Sequence, residues 1–179
     1  MWFSLIKQYW QVSLFKRPPE ETPYAPLLLC VVGFLYLLLI IGQWIISDIE
    51  QQVRFGTALL IAGALIISYV LYTAALLTIF HVSNRLVQTL TSLFSAHAIV
   101  HLFVFPLLLL TPLLIETNTT PVLAPFVGVL YLILTLFLTG WQLLISAYIY
   151  KHALSIDYFQ SALASLGLLA CNILCVAII

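Results

Sequence analysis

Apolar residues fall along this chain in five long runs separated by short polar breaks. The runs extend approximately from Ala25 to Ile46, Gly56 to Phe80, Val87 to Leu114, Val122 to Tyr150 and Tyr158 to Ile179. An α-helix rises about 1.5 Å per residue and the hydrocarbon layer of a bilayer is about 30 Å thick, so each run is long enough to cross it. No water is present in that layer to satisfy peptide groups, which leaves the internally bonded helix as the form each run must take. The breaks agree. Ser47 to Arg54 is too polar to bury, Glu116 to Pro121 ends on a proline, and Lys151 to Asp157 separates the last two runs. The expected fold is all-α: a polytopic membrane helix bundle with five transmembrane helices in residues 25–179 and a distinct segment, 1–24, before them.

Within that segment Trp2, Phe3, Ile6, Tyr9, Trp10 and Leu14 recur at helical spacing, while Ser4, Lys7, Gln8 and Gln11 take the other side. The pattern predicts an interfacial amphipathic helix on the cytoplasmic surface, with Trp2, Tyr9 and Trp10 at headgroup depth. Such a helix orients the first span or recruits a partner. From Lys16 to Pro26 there are four prolines in nine residues, counted from Pro18, which predicts a stiff extended elbow.

Composition strengthens the membrane reading. Hydrophobic residues make up 64% of the chain and charged residues 7%, and six basic plus six acidic side chains cannot coat a soluble globule of 179 residues. The bilayer is the expected surrounding. The six cations are scattered from Lys7 to Lys151, so no basic face exists for nucleic acid. Their positions suggest the orientation. With the N-terminus in the cytoplasm, Lys7, Lys16, Arg17, Arg85 and Lys151 all lie inside and only Arg54 lies outside, as short loops prefer. The C-terminus is then outside, with no soluble domain expected after the fifth run, and no cleavable signal is expected at the start.

Two groups of residues carry candidate chemistry. In the third run and the residues leading into it, His81, Asn84, Arg85, Gln88, Thr91, Ser92 and Ser95 fall on one helical face about 120° wide. Such a face is a polar path for a small solute entering from the cytoplasm, or the hydrogen-bonding seam of an ordinary bundle. His97 and His101 are four residues apart on another face, and Cys171 and Cys175 repeat that spacing in the fifth run. Two imidazoles and two thiolates suit tetrahedral zinc or copper(I). The competing reading assigns both cysteines to a small-residue packing stripe with Ser161, Ala164 and Gly167. Haem fits poorly, because two histidines on one helix face cannot approach a ring from opposite sides.

Signatures of catalysis are missing. Asp48, Glu50, Glu116 and Asp157 sit in or beside breaks rather than within runs, so an intramembrane aspartate pair is excluded. No nucleophile elbow, zinc-protease helix or phosphate loop occurs. No enzyme activity and no obligatory cofactor are expected. Packing signals are plentiful: Gly33 and Gly42 in the first run, Ala62-Gly-Ala64, Ser68, Ala74 and Ala75 in the second. Gln43, Trp44, Trp141 and Gln142 offer hydrogen bonds to neighbours. Asn118-Thr-Thr120 fits a glycosylation acceptor, which is expected to go unused.

The N-terminal Arg17-Pro-Pro-Glu-Glu-Thr-Pro-Tyr24, followed by five closely spaced runs and a very short outer C-terminus, resembles the layout of the Yip family of small membrane proteins. Eukaryotic members of that family interact with Rab-type GTPases, and bacterial relatives are widespread. The Asp-Leu-Tyr-Gly-Pro type signature of the eukaryotic members has no counterpart here, so no residue role is carried over. The resemblance to bacterial members implies an inner-membrane protein that organises other membrane proteins. The leading expectation is thus a structural or assembly subunit that associates with other membrane proteins or with itself. A copper, zinc or redox site at His97, His101, Cys171 and Cys175, and a solute conduit along the polar face, are the alternatives.

Overall fold

In the computed structural model, which describes residues 2–47, 55–109 and 123–179, the described residues form six α-helices and no strand. They are α1 (Trp2–Ser13), α2 (Pro26–Ser47), α3 (Phe55–Ile79), α4 (Leu86–Leu108), α5 (Leu123–Leu154) and α6 (Tyr158–Ile178). Helices α2 to α6 are each long and apolar enough to cross a membrane, and the protein is a multi-pass membrane helix bundle.

One end differs from expectation, for a local reason. The third span is helical to Leu108 with Pro106 inside its last turn, and its expected end at Leu114 lies outside the described residues. The fourth continues past Tyr150 to Leu154, where Arg85 supplies donors to its last carbonyls, Nη1 reaching His152 O at 3.0 Å and Ala153 O at 3.1 Å. The expected breaks at Asp48–Arg54 and Glu116–Pro121, Pro112 and the Asn118 triplet lie outside the described residues. The last break is tight: Ser155 takes a left-handed φ of 55°, and the Asp157 carboxylate accepts from the Gln160 N–H at 2.7 Å to cap α6.

Helix α4 is the axis. Over its most apolar 18-residue stretch 56% of residues are buried, against 28% or less in the other spans, and α1, α2, α3 and α5 all pack on it. The reason lies in composition. The span richest in hydroxyls, amides and imidazoles is the one whose exposure to lipid would cost most, so it takes the centre. Gly33 and Gly42 of α2 face the Phe94 and Phe105 rings of α4. Tyr36 stacks on Phe94 at 5.5 Å and meets Tyr69 edge to face at 5.9 Å.

Helix α6 packs on α5 and α3. Its small-residue stripe is used within the molecule: Ser161 and Ala164 are buried, Gly167 faces Tyr72, and the Cys175 thiol lies 3.7 Å from the Ala64 carbonyl. Ser165 donates to the Leu143 carbonyl of α5 at 2.8 Å. The elbow contains a short 3-10 turn, Pro19–Glu21, and Arg17 and Arg85 pair with Glu21 and Glu20. Arg85, Lys151, His152 and the elbow mark one end of the bundle as basic.

The expected N-terminal helix is present and is docked along the bundle. Tyr9, Val12 and Ser13 are buried, Trp10 lies 6.3 Å from Phe103, and the Trp141 indole donates to the Ser13 carbonyl at 3.1 Å. Ile6, Trp10 and Leu14 remain exposed, so one flank of α1 grips protein while the other meets the surroundings. Leu5, Ile6 and Tyr9 share an apolar groove of about 590 Å³ with residues of α2 and α4.

The tightest contact in the bundle yields a test. A Cβ at Gly167 would run into the Tyr72 hydroxyl, which donates to the Ala164 carbonyl at 2.8 Å. Gly167→Ala should therefore lower stability by about 1–2 kcal/mol, even though alanine is the better helix former by ~0.5–1 kcal/mol. Tyr72→Phe in the same chain should recover part of that loss, because it removes the colliding oxygen. Thermal unfolding of the two single variants and the double variant in detergent checks the sign and the coupling.

Candidate functional site

The most enclosed polar cluster lies where α3, α4 and α5 meet, about 17 Å along α4 from Leu86. His97 is 1% exposed, and both ring nitrogens are bonded. Nδ1 lies 2.6 Å from the Tyr69 hydroxyl and 3.2 Å from Gln142 Nε2, while Nε2 lies 2.8 Å from the Ser146 hydroxyl. The partners fix the proton. Ser146 gives its one hydrogen to the Gln142 carbonyl at 2.9 Å, so it can only accept from the ring. His97 therefore carries its proton on Nε2, and the bare Nδ1 accepts from Tyr69 and Gln142. The ring is neutral and fully bonded.

One turn further along α4, His101 is set the other way. Gln43 Nε2 donates to the His101 carbonyl at 2.8 Å, which turns Gln43 Oε1 toward the ring, 2.6 Å from Nδ1. The proton must be on Nδ1, leaving Nε2 to face the Tyr36 hydroxyl at 3.5 Å. Toward the basic end, Thr73 and Tyr150 share a hydrogen bond of 2.9 Å. These groups form rungs of a polar ladder inside the bundle, from Gln43 near the end of α2 to Tyr150 near the end of α5. Phe94 packs against Tyr36 and Tyr69 in the middle of it.

Beside His97 is a chamber of about 30 Å³, lined by Tyr69, Gln142, Ser146, Ser165 and Asn172 among others. That is room for one or two water-sized molecules. The Asn172 Oδ1 is buried and has no hydrogen-bond partner.

The expected metal ligands are not brought together. Among the described residues no three of His, Cys, Asp and Glu form a cluster able to hold an ion. His97 and His101 have their nitrogens committed to Tyr69, Ser146 and Gln43, while Cys171 and Cys175 lie partly buried on α6, the latter against α3. The polar face of the third run is divided between tasks. His81 is exposed and ends α3 with a left-handed φ of 59°, and Asn84 is exposed beside it. Arg85 holds the end of α5, and Gln88 Nε2 donates to the Thr22 carbonyl of the elbow at 3.0 Å. Thr91 bonds back to the Val87 carbonyl at 2.6 Å. Ser92 and Ser95 are buried with hydroxyls lacking a partner. The cytoplasmic part of the stripe thus locks the elbow and the helix ends together.

No family model, curated protein or solved structure matches this chain. Its site has to be read from its own residues.

Sequence reasoning overlooked Tyr36, Tyr69, Ser146 and Asn172, and it treated Gln43 and Gln142 only as generic hydrogen-bonding groups. A signal was present. Each is a lone polar residue inside an apolar run, where an unpaired group is costly, so each calls for a partner in the protein. What the chain alone does not provide is which of them meet.

The bonding pattern makes a sharp spectroscopic prediction. Nitrogen-15 solid-state NMR of histidine-labelled protein in bilayers should show two opposite neutral tautomers, Nε2-protonated for His97 and Nδ1-protonated for His101. The assignments come from His97→Gln and His101→Gln. Ser146→Ala strands the His97 proton and should lower stability by about 1–2 kcal/mol, whereas Thr139→Ala, at an exposed site bonded only to its own helix, should change it by less than about 0.5 kcal/mol.

Proposed function

We propose that the protein is an assembly or interaction subunit of a membrane, with its basic end in the cytoplasm, and that its work is done by association rather than by catalysis. The supporting observation is the first half of α5. Between Phe126 and Phe137 eight apolar residues are exposed, including the consecutive Leu132, Ile133 and Leu134, and only the face of Val127, Gly128, Tyr131 and Thr135 is half-buried. A helix that leaves most of its circumference outside its own bundle has apolar surface to offer, and close packing against another helix is what stabilises association within lipid.

The neighbouring surface suits such a contact. Gly140, with no atom within 4 Å of the position its Cβ would take, sits in a shallow apolar notch of about 600 Å³ between Phe15, Phe137 and Trp141. A partner helix can seat a large side chain there. The small-residue stripe of α6 is taken up internally, so α5 supports the reading in its place. Orientation rests on the cations, since Arg85, Lys151 and the elbow lysine and arginine gather at one end. The resemblance to bacterial Yip-type proteins supports an inner-membrane home.

Disulfide or bis-maleimide crosslinking in native membranes tests the proposal. Cys30, Cys171 and Cys175 are replaced by alanine, and a single cysteine is placed by Leu132→Cys or Leu136→Cys. The expected result is a discrete crosslinked species, dimer or hetero-complex, that is absent for Ile149→Cys in the buried core. Recovery of monomer alone from both α5 positions, with a monomeric species in mild detergent, would refute it.

A further inference from the structure

We propose that the chamber beside His97 is a binding site for one small neutral hydrogen-bond donor, of the size and chemistry of water or ammonia, held between Asn172 and the Tyr69 hydroxyl oxygen. The balance of donors and acceptors on its walls carries the inference. Tyr69 gives its proton to His97 Nδ1, Ser146 gives its own to the Gln142 carbonyl, Ser165 to Leu143 at 2.8 Å and Thr139 to Thr135 at 2.9 Å. Every hydroxyl proton on the lining is therefore spent inside the protein. What these oxygens can still present is lone pairs.

Asn172 adds the decisive group. Its Oδ1 is buried without a partner on the wall of this chamber, and an unmet buried acceptor costs about 1–3 kcal/mol. A guest that donates two hydrogens can meet Asn172 and Tyr69 together, and can accept from an amide N–H of Asn172 or Gln142. The volume, about 30 Å³, is room for one or two such molecules. Charge is limited as well. No acidic residue lines the chamber and His97 is neutral by its bonding, so a cation placed there would have no counter-charge at membrane depth. The guest is thus neutral, small and rich in X–H bonds.

Water-edited solid-state NMR on isotope-labelled full-length protein in lipid bilayers tests this. Polarisation from water should reach the Asn172 side-chain amide and the His97 Nε2–H at short mixing times. The transfer should be lost in Asn172→Leu, which removes the acceptor, and in Leu169→Phe, which narrows the chamber from a wall that makes no side-chain hydrogen bond. The second variant keeps the test valid if the first does not fold. Titration with nitrogen-15 ammonia at alkaline pH separates the two guests: a saturable shift at Asn172 assigns ammonia, and its absence with water transfer intact assigns water. Absence of water transfer and of any ammonia shift in the unaltered protein overturns the proposal, as does transfer that persists in both variants.

Discussion

Below the headgroups of a bilayer a polar side chain has no solvent to fall back on, and the arrangement of this protein follows from meeting that requirement around one helix. Helix α4 carries two threonines and two serines within seven residues of its first half and both deep histidines, and it is wrapped by α1, α2, α3 and α5. The surrounding helices supply matching groups at matching heights: Tyr69 and Gln142 at His97, Gln43 and Tyr36 at His101. Apolar contact alone would not specify these heights, because one leucine packs against lipid about as well as against another leucine. Hydrogen bonds with a single workable partner do specify them.

The number and approximate limits of the spans were legible in the chain because lipid imposes a length and an unbroken apolar pattern. The polar density of the third run was readable too, and a face of that kind avoids lipid. The pairing within the core was not. Tyr36 and Tyr69 look alike in sequence, each a tyrosine in an apolar helix, yet one faces His101 and the other bonds His97. That distinction depends on the rotation of α2 and α3 about their axes, set by contacts such as Gly33 on Phe94. Likewise, the face from His81 to Ser95 reads as one stripe on a helical wheel. In space its lower part belongs to the elbow and to the end of α5, and only its upper part reaches the core.

The basic end shows how a charged residue can serve the fold at the margin of the membrane. Arg85 meets Glu20 of the elbow at 3.5 Å and the terminal carbonyls of α5. Those carbonyls carry the negative end of the α5 dipole, so the guanidinium satisfies the helix and a carboxylate at once. Gln88, one turn on, fastens the elbow by its backbone. The four prolines then make sense as a brace: a stiff segment anchored at both its arginine pairing and its Thr22 carbonyl sets the angle at which α1 folds back onto α4.

The same bonding decides between the metal reading of the histidines and a structural one. A metal at His97 Nδ1 would displace both the Tyr69 hydroxyl and the Gln142 amide, leaving two buried donors unmet. A metal at Nε2 would expel the ring proton and turn the Ser146 hydroxyl away from the carbonyl it serves. Coordination would have to offset those losses with thiolates that lie on a helix packed against α3 and α5, and with His101, whose proton points to Gln43. Both histidines already have their ring nitrogens engaged where they are. The i to i+4 spacing of His97 and His101 reflects two successive levels of one interior, each completed by a different neighbour.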